Sequence, residues 1–155
     1  MRRLITLSAL VAGIVVVLVA PVTALAQHDH PVAGPAVTAP PAHPWPADAT
    51  LSANMARIHD TLDRLRHYEM GHMDATLARD QADVIAESAS EIFTKCKLPP
   101  ERDAVLHGML VPLLAATQKF KTDPADAAQI AAMREAVAAY PRYFEAPGWQ
   151  ASPAH

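Results

Sequence analysis

The chain has 155 residues, which correspond to one domain at most. Its 13 lysines and arginines against 16 aspartates and glutamates argue against nucleic acid as a partner, because proteins that bind nucleic acid usually present an excess of positive charge. The single cysteine, Cys96, excludes an internal disulfide, so it is a buried thiol, a metal ligand or an intermolecular bridge.

The N-terminus has the pattern of a secretory signal peptide. Arg2 and Arg3 precede an uncharged apolar run over residues 4–20, and the small-residue sequence Ala24-Leu25-Ala26 follows Pro21. We therefore expect residues 1–26 to be cleaved and the protein to be periplasmic. An uncleaved segment of this length would instead anchor the chain in the membrane. Cleavage removes two arginines and leaves 11 basic and 16 acidic residues, a formal charge of −5.

A proline-rich linker is predicted over residues 27–47. The stretch from Gln27 to Pro46 contains six prolines and has no helical or strand periodicity. Such a composition cannot bury enough apolar surface to become ordered, so we expect a disordered or polyproline-like tether. A helical pattern begins directly after it. We assign residues 48–146 to a helical domain and residues 147–155 to a C-terminal tail.

Two helices are predicted in the first half of this domain. The apolar residues of the first helix alternate in spacings of four and three, which places them on one stripe: Leu51, Met55, Ile58, Leu62 and Leu65. Asp48 or Thr50 is the expected N-cap, and Gly71 is the expected stop. The second helix is predicted from Asp74 to about Cys96. The residues expected to point inward are Leu77, Val84, Ile85, Ser88 and Ile92.

Two further helices are predicted in the second half. Pro99 and Pro100 open the third helix, in which Pro112 is expected to produce a kink. Its apolar residues are Val105, Leu106, Met109, Leu110, Leu113 and Phe120. The fourth helix is predicted to begin at Asp123-Pro124, with the stripe Ile130, Met133, Val137, Tyr140 and Phe144. Four amphipathic helices with short connections predict an all-α, antiparallel up-down-up-down four-helix bundle.

Three segments resemble a known family. They are LSANMARIHDTL in the first helix, HGMLV in the third and MREAVAAY in the fourth. In order and spacing, residues 48–144 resemble the soluble periplasmic b-type cytochromes that are built as four-helix bundles. The resemblance implies this fold and a haem iron held by Met55 and by a histidine directly after the pair Ala139-Tyr140. That position is Pro141, which has no ligand atom, so we keep the implied fold and do not expect haem to be held in the family's way.

The sequence also bears on other modes of haem binding. No C-x-x-C-H motif is present, which excludes covalent c-type attachment. The remaining cytochrome hypothesis is therefore a protein that binds haem non-covalently through a different second ligand.

The first candidate metal site comprises Met55, Cys96 and His107, which the predicted topology places toward one end of the bundle. A thioether, a thiolate and an imidazole together suit Cu(I) or a copper electron-transfer site. Lys95 and Lys97 would favour the thiolate form of the cysteine. The alternative is a structural cysteine beside a surface histidine.

The second candidate runs along one side of the first helix. His59, Asp63 and His67 are four residues apart, so they align on the helix surface. Two imidazoles with a carboxylate between them can bind Cu(II) or Zn(II) if another group completes the shell. The alternative is a solvated face, because Arg64 and Arg66 are nearby.

The third candidate is the sequence HYEMGHM, residues 67–73, at the corner between the first two helices. It carries His67, Met70, His72 and Met73. Thioether and imidazole groups both suit Cu(I), so an exposed corner of this composition is a candidate copper ligand set. The alternative is that the two methionines cap the end of the bundle with flexible apolar side chains.

The fourth candidate is the N-terminus created by cleavage. The amine of Gln27 and the imidazoles of His28 and His30 can chelate Cu(II), although a polar tail is the alternative. All four candidates favour the same ions, so the sequence predicts a periplasmic protein that binds copper or a similar metal for sequestration, delivery or sensing. The competing hypothesis is a metal-free interaction module with a partner protein in the cell envelope. No enzymatic activity is predicted, because no nucleophile–base pair, phosphate loop or carboxylate dyad is present.

Overall fold

Helices make up most of residues 39–149, the part of the chain that the structure, a computed structural model, describes. The predicted signal peptide, most of the predicted linker, His28 and His30 lie outside these residues. The helices are α1 (Ala49–Arg64), α2 (Arg66–Glu69), α3 (Ala75–Lys95), α4 (Pro100–Thr122), α5 (Ala128–Val137) and α6 (Tyr140–Tyr143). The prediction of an all-α chain is confirmed for the described residues. Among these residues, none of the helices has the length and apolar composition of a membrane span.

The beginning and the buried face of α1 agree with the prediction. The carboxylate of Asp48 accepts a hydrogen bond from the amide of Leu51 at 2.7 Å, so Asp48, and not Thr50, is the N-cap. The predicted stripe is at most 3% exposed: Leu51, Met55, Ile58, Leu62 and Leu65. The short helix α2 follows, and the chain then turns at Gly71, whose φ of 76° lies in the left-handed region that favours glycine.

The helix α3 begins where it was predicted, but the face that it buries agrees only in part with the prediction. The carboxylate of Asp74 caps it by accepting hydrogen bonds from the amides of Thr76 and Leu77. Leu77 is 46% exposed, so the prediction that it points inward was wrong. Small residues share the core with Ile85, Ser88 and Ile92: Ala78, Ala82 and Ala89. Because the distance between packed helices depends on the side chains at the contact, these alanines let α3 pack closely.

The helix α4 is continuous across Pro112, which lies on its exposed side. Val105, one of its six predicted apolar residues, is half-buried. The other five are buried: Leu106, Met109, Leu110, Leu113 and Phe120. Proline cannot donate a backbone hydrogen bond, so the carbonyl group of Gly108, one turn earlier, lacks its usual partner within the helix. The position of Pro112 at the surface leaves that carbonyl group near solvent.

The fourth predicted helix begins later than expected and is divided. The prediction placed its start at Asp123-Pro124, but α5 begins at Ala128. The side chain of Asp123 accepts a hydrogen bond from the amide of Ala125 at 3.1 Å, and its carbonyl accepts one from the amide of Asp126 at 3.1 Å. These local bonds form a turn in place of the first helical turn. The predicted stripe is nevertheless buried over α5, α6 and the following residue: Ile130, Met133, Val137, Tyr140 and Phe144.

The helices are joined by packing and by a few long-range polar contacts. The helix α1 packs against α3, α3 against α4, and α4 against α5. The amide of Trp45, before α1, donates to the carbonyl of Tyr143 at 2.7 Å, and the amide of Glu145 donates to the carbonyl of Trp45 at 2.9 Å. The ring of Trp45 also packs edge-on against Phe144 with centroids 5.5 Å apart. Trp45, three residues before the N-cap of α1, is therefore tied to the segment around α6.

The corrected register of α3 predicts different effects for two substitutions on the same helix. Ile85→Ala removes a fully buried side chain, so the free energy of unfolding is expected to fall by about 2–5 kcal/mol. Leu77→Ala, at an exposed position, is expected to change it by no more than about 0.5 kcal/mol. Urea denaturation followed by circular dichroism measures both. Equal losses at the two positions would contradict the register.

Candidate functional site

The segment 67–73 forms an exposed corner that brings two imidazoles together. His67 lies in α2 and His72 follows Gly71, and the amide of His72 donates to the carbonyl of His67 at 2.7 Å. Their ring centroids are 6.5 Å apart, and both residues are exposed. A metal ion bound to one nitrogen of each ring at about 2.0–2.1 Å would lie roughly 3.2 Å from each ring centre, so the centres would be about 5 Å apart at a tetrahedral angle and about 6.4 Å apart in a linear arrangement. The observed 6.5 Å corresponds to the linear limit, so two imidazoles on opposite sides of one ion are the arrangement closest to this spacing.

The two methionines of the corner have different surroundings. Met70 is 56% exposed, so its thioether is accessible to a dissolved ion. Met73 is half-buried and packs against the apolar core. The prediction of a metal ligand thus suits Met70, which is exposed, whereas the alternative of an apolar cap on the bundle suits Met73, which covers the core.

The residues between these candidate ligands hold the corner in place. The hydroxyl of Tyr68 donates to the carbonyl of Pro124 at 3.0 Å, and its ring packs edge-on against Phe120. The side chain of Glu69 accepts two hydrogen bonds from the guanidinium of Arg134, at 2.9 and 2.7 Å. The backbone of the corner is consequently anchored to α4 and α5, while His67 and His72 remain exposed.

The residues of the second candidate site have separate partners. The ring of His59 packs against Trp149 with centroids 4.5 Å apart, and its Nδ1 lies 3.8 Å from a carboxylate oxygen of Asp60. The carboxylate of Asp63 forms an ion pair with Arg66 at 3.2 Å, as expected for a solvated face. Within residues 39–149, no three side chains drawn from histidine, cysteine, aspartate and glutamate are grouped closely enough to hold a metal ion.

The members of the first candidate site also contact different groups. Met55 is fully buried in the core. The thiol of Cys96 donates to Oδ2 of Asp48 at 3.5 Å. His107 is exposed, with Nδ1 3.3 Å from Oδ2 of Asp103 and its ring edge-on to Phe93. These contacts match the alternative of a structural cysteine and a surface histidine.

The surroundings of Cys96 keep its thiol protonated. Burial, the hydrogen bond to Asp48 and the negative charge of Asp48 raise the pKa of the thiol from 9.0 to about 11. The expectation that Lys95 and Lys97 favour the thiolate was therefore wrong, and the ammonium of Lys95 instead pairs with Glu91. Asp48 was recognised in the sequence only as a cap, because nothing local indicates that a residue 48 positions away is its neighbour.

A cavity of about 250 Å³ lies beside Met55, between α1 and the segment that follows α6. Its lining includes His59, Tyr140, Glu145 and Trp149. Met55 and His59 are one turn apart on the same helix, so they cannot bind a planar cofactor from opposite faces. Because Pro141 also offers no ligand atom, these residues do not fit a haem held by two axial ligands.

Comparison with known proteins assigns neither a family nor a function to the chain. No protein family model, no curated protein and no solved structure matches the chain. The similarity to the b-type cytochromes consequently depends only on the three sequence segments quoted above. A function has to be argued from the chemistry of the site itself.

The environment of Cys96 predicts slow alkylation of the folded protein. At pH 8, a pKa of about 11 leaves roughly one thiol in a thousand ionised, against about one in ten for the ordinary value of 9.0. Iodoacetamide is therefore expected to react roughly ten- to a hundredfold more slowly with the folded chain than with the urea-unfolded chain, because the greater nucleophilicity of a thiolate of higher pKa compensates only part of the lower thiolate fraction. Asp48→Asn preserves a good N-cap but removes the negative charge, so it is expected to lower the thiol pKa and speed the reaction. Mass spectrometry at pH 7–10 measures the rates, and equal rates in folded and unfolded protein would contradict the assignment.

Proposed function

We propose that the exposed corner at residues 67–73 binds Cu(I) or a similar soft ion, and that the protein sequesters, delivers or senses copper in the periplasm. The observation that carries this proposal is the 6.5 Å spacing between the exposed rings of His67 and His72. The exposed thioether of Met70 lies in the same turn. Imidazole and thioether groups are ligands that copper prefers.

The composition of this ligand set determines which ions it favours. Two imidazoles and one thioether contain no oxygen donor, whereas Ca²⁺ and Mg²⁺ are bound through oxygen. The third donor is a methionine, so the set is distinct from a group of three histidine, cysteine or acidic side chains. A site with two or three ligands at an exposed turn suits an ion that is taken up and passed on.

The proposal includes a cellular location and an arrangement of the helices. The protein is exported, cleaved after Ala26, and tethered by its proline-rich linker to an antiparallel up-down-up-down bundle. Two contacts support the arrangement: Cys96 at the end of α3 contacts Asp48 at the start of α1, and Tyr68 after α1 contacts Pro124 after α4. In this arrangement the copper-binding corner lies at one tip of the bundle. The tip is accessible to a partner that donates or receives the ion.

A metal-free interaction module in the envelope is the second candidate function. It is favoured by apolar side chains that the described residues leave exposed: Leu77, Phe93 and Val111. A partner protein would cover such side chains. This function and copper binding use different surfaces, so separate variants test them.

Copper titration tests the proposed site. The purified exported protein is expected to take Cu(I) from a chromophoric chelator with a dissociation constant of micromolar or lower. The pair His67→Gln and His72→Gln is expected to weaken binding at least tenfold, because it removes both imidazoles. Met70→Leu is expected to weaken Cu(I) more than Zn(II), because thioethers prefer the softer ion. No Cu(I) binding at micromolar concentrations would contradict the proposal.

Two controls separate this site from the alternatives. His107→Gln changes an exposed histidine on α4 and is expected to leave the Cu(I) affinity unchanged. Unchanged affinity in the His67 and His72 variant would move binding to another part of the chain, such as Cys96 or the N-terminal His28 and His30. A Soret band on addition of haem would support the cytochrome alternative.

A further inference from the structure

The helix α4 is apolar on its outward side as well as in the core. A surface helix normally presents charged or polar residues on the side away from the core. The exposed residues of α4 that follow one another at spacings of four and three are instead uncharged: Ala104, Gly108, Val111, Ala115 and Gln118. Val111, in the middle of this row, is 56% exposed. We call this row the outer face of α4.

The apolar character extends to the neighbouring helix. Phe93 of α3 is 36% exposed, and its ring packs against that of His107 of α4 with centroids 4.8 Å apart. His107 in turn lies next to Gly108 and one turn before Val111. The outer face of α4 therefore continues into an exposed aromatic pair at its edge, which enlarges the apolar surface.

The charges at the two ends of α4 are complementary to each other. Glu101 and Asp103 lie in its first turn, and Lys119 and Lys121 lie in its last. Lys119 follows Glu101 by 18 residues, which is five turns of an α-helix, so the two side chains lie on the same flank of the outer face. The same spacing relates Asp103 to Lys121. An antiparallel copy of α4 would therefore place a lysine against an acidic residue at each end of the face.

The centre of this arrangement is Val111. It is the middle residue of Pro100–Thr122, so in an antiparallel pair centred on it Glu101 is level with Lys121 of the second copy. Lys119 of the second copy is then two residues away, about 3 Å along the axis, on the same flank. Asp103 already contacts His107 of its own chain, and Lys121 forms an ion pair with Asp83 of its own chain. The intermolecular ion pair in this arrangement is thus the one between Glu101 of one copy and Lys119 of the other, and it occurs twice by symmetry.

We propose that the outer face of α4 is the interface of a two-fold symmetric homodimer in which two α4 helices pack antiparallel across Val111. A two-fold interface requires a surface that is complementary to itself, and the charges of α4 have this property. Ala104, Gly108 and Ala115 lack bulky side chains, so the two helices can approach closely. The interface is separate from the copper-binding corner and does not depend on copper.

Analytical ultracentrifugation of the purified exported protein, in the presence of a chelator, tests the dimer. The protein is expected to be dimeric in the range from 10 μM to 1 mM. Val111→Asp buries a charge on the axis and is expected to raise the dimer dissociation constant at least tenfold. Leu77→Asp alters an exposed leucine on α3 and is the matched control, expected to leave the dissociation constant unchanged. Circular dichroism verifies that both variants are folded.

Charge exchange tests the antiparallel orientation. Glu101→Lys and Lys119→Glu are each expected to weaken dimerisation several-fold, because each places like charges together. The double exchange restores opposite charges in both symmetric contacts and is expected to recover the dimer. A monomer at 1 mM, an unchanged dissociation constant for Val111→Asp, or a double exchange weaker than both single variants would overturn the proposal.

Discussion

The ion pair between Arg134 and Glu69 is the interaction on which the candidate site depends. The guanidinium of Arg134 donates hydrogen bonds to both carboxylate oxygens of Glu69 and, at 3.2 Å, to the carbonyl of Leu62. A bidentate pair between arginine and a carboxylate is stronger and more directional than a single contact. Both side chains are also about 70% shielded from solvent, so this pair is screened less than an ordinary surface ion pair. It fixes the turn after α1 to α5.

This anchoring divides the heptapeptide into two sets of side chains. Tyr68 and Glu69 point to α4 and α5 and are committed to structure, whereas His67, Met70 and His72 are exposed. An anchored backbone reduces the entropy lost when the exposed side chains bind an ion. Cys96 illustrates the opposite case, because its thiol lies against the N-cap carboxylate of α1 and stays protonated. It therefore acts as part of the packing and is a poor ligand at neutral pH.

The two proposed surfaces depend on different physical properties of the chain. The corner depends on donor atoms at short sequence separation, which a single turn brings together. The outer face of α4 depends on the absence of charge over the middle of a long helix whose ends carry opposite charges. Although α4 carries apolar residues on both sides, periodicity predicted five of its six inward residues correctly, and the structure places Val105 only partly inside.

The sequence by itself determined the features that arise from interactions within a few residues. These include the stripe of α1, the turn at Gly71 and a cap at Asp48 or Thr50, of which the structure selects Asp48, because capping bonds and helical periodicity are local. The stripe of the fourth predicted helix was likewise correct although its start was not, because the hydrogen bonds of Asp123 form a turn that periodicity does not report.

Only the tertiary structure decided which side chains meet across the fold. Leu77 lies outside and alanines lie inside, since the space between α1 and α3 is a property of both helices together. The contact of Cys96 with Asp48 and that of Arg134 with Glu69 join residues 48 and 65 positions apart. No local pattern records such a contact, because its energy depends on where separate helices bring their side chains.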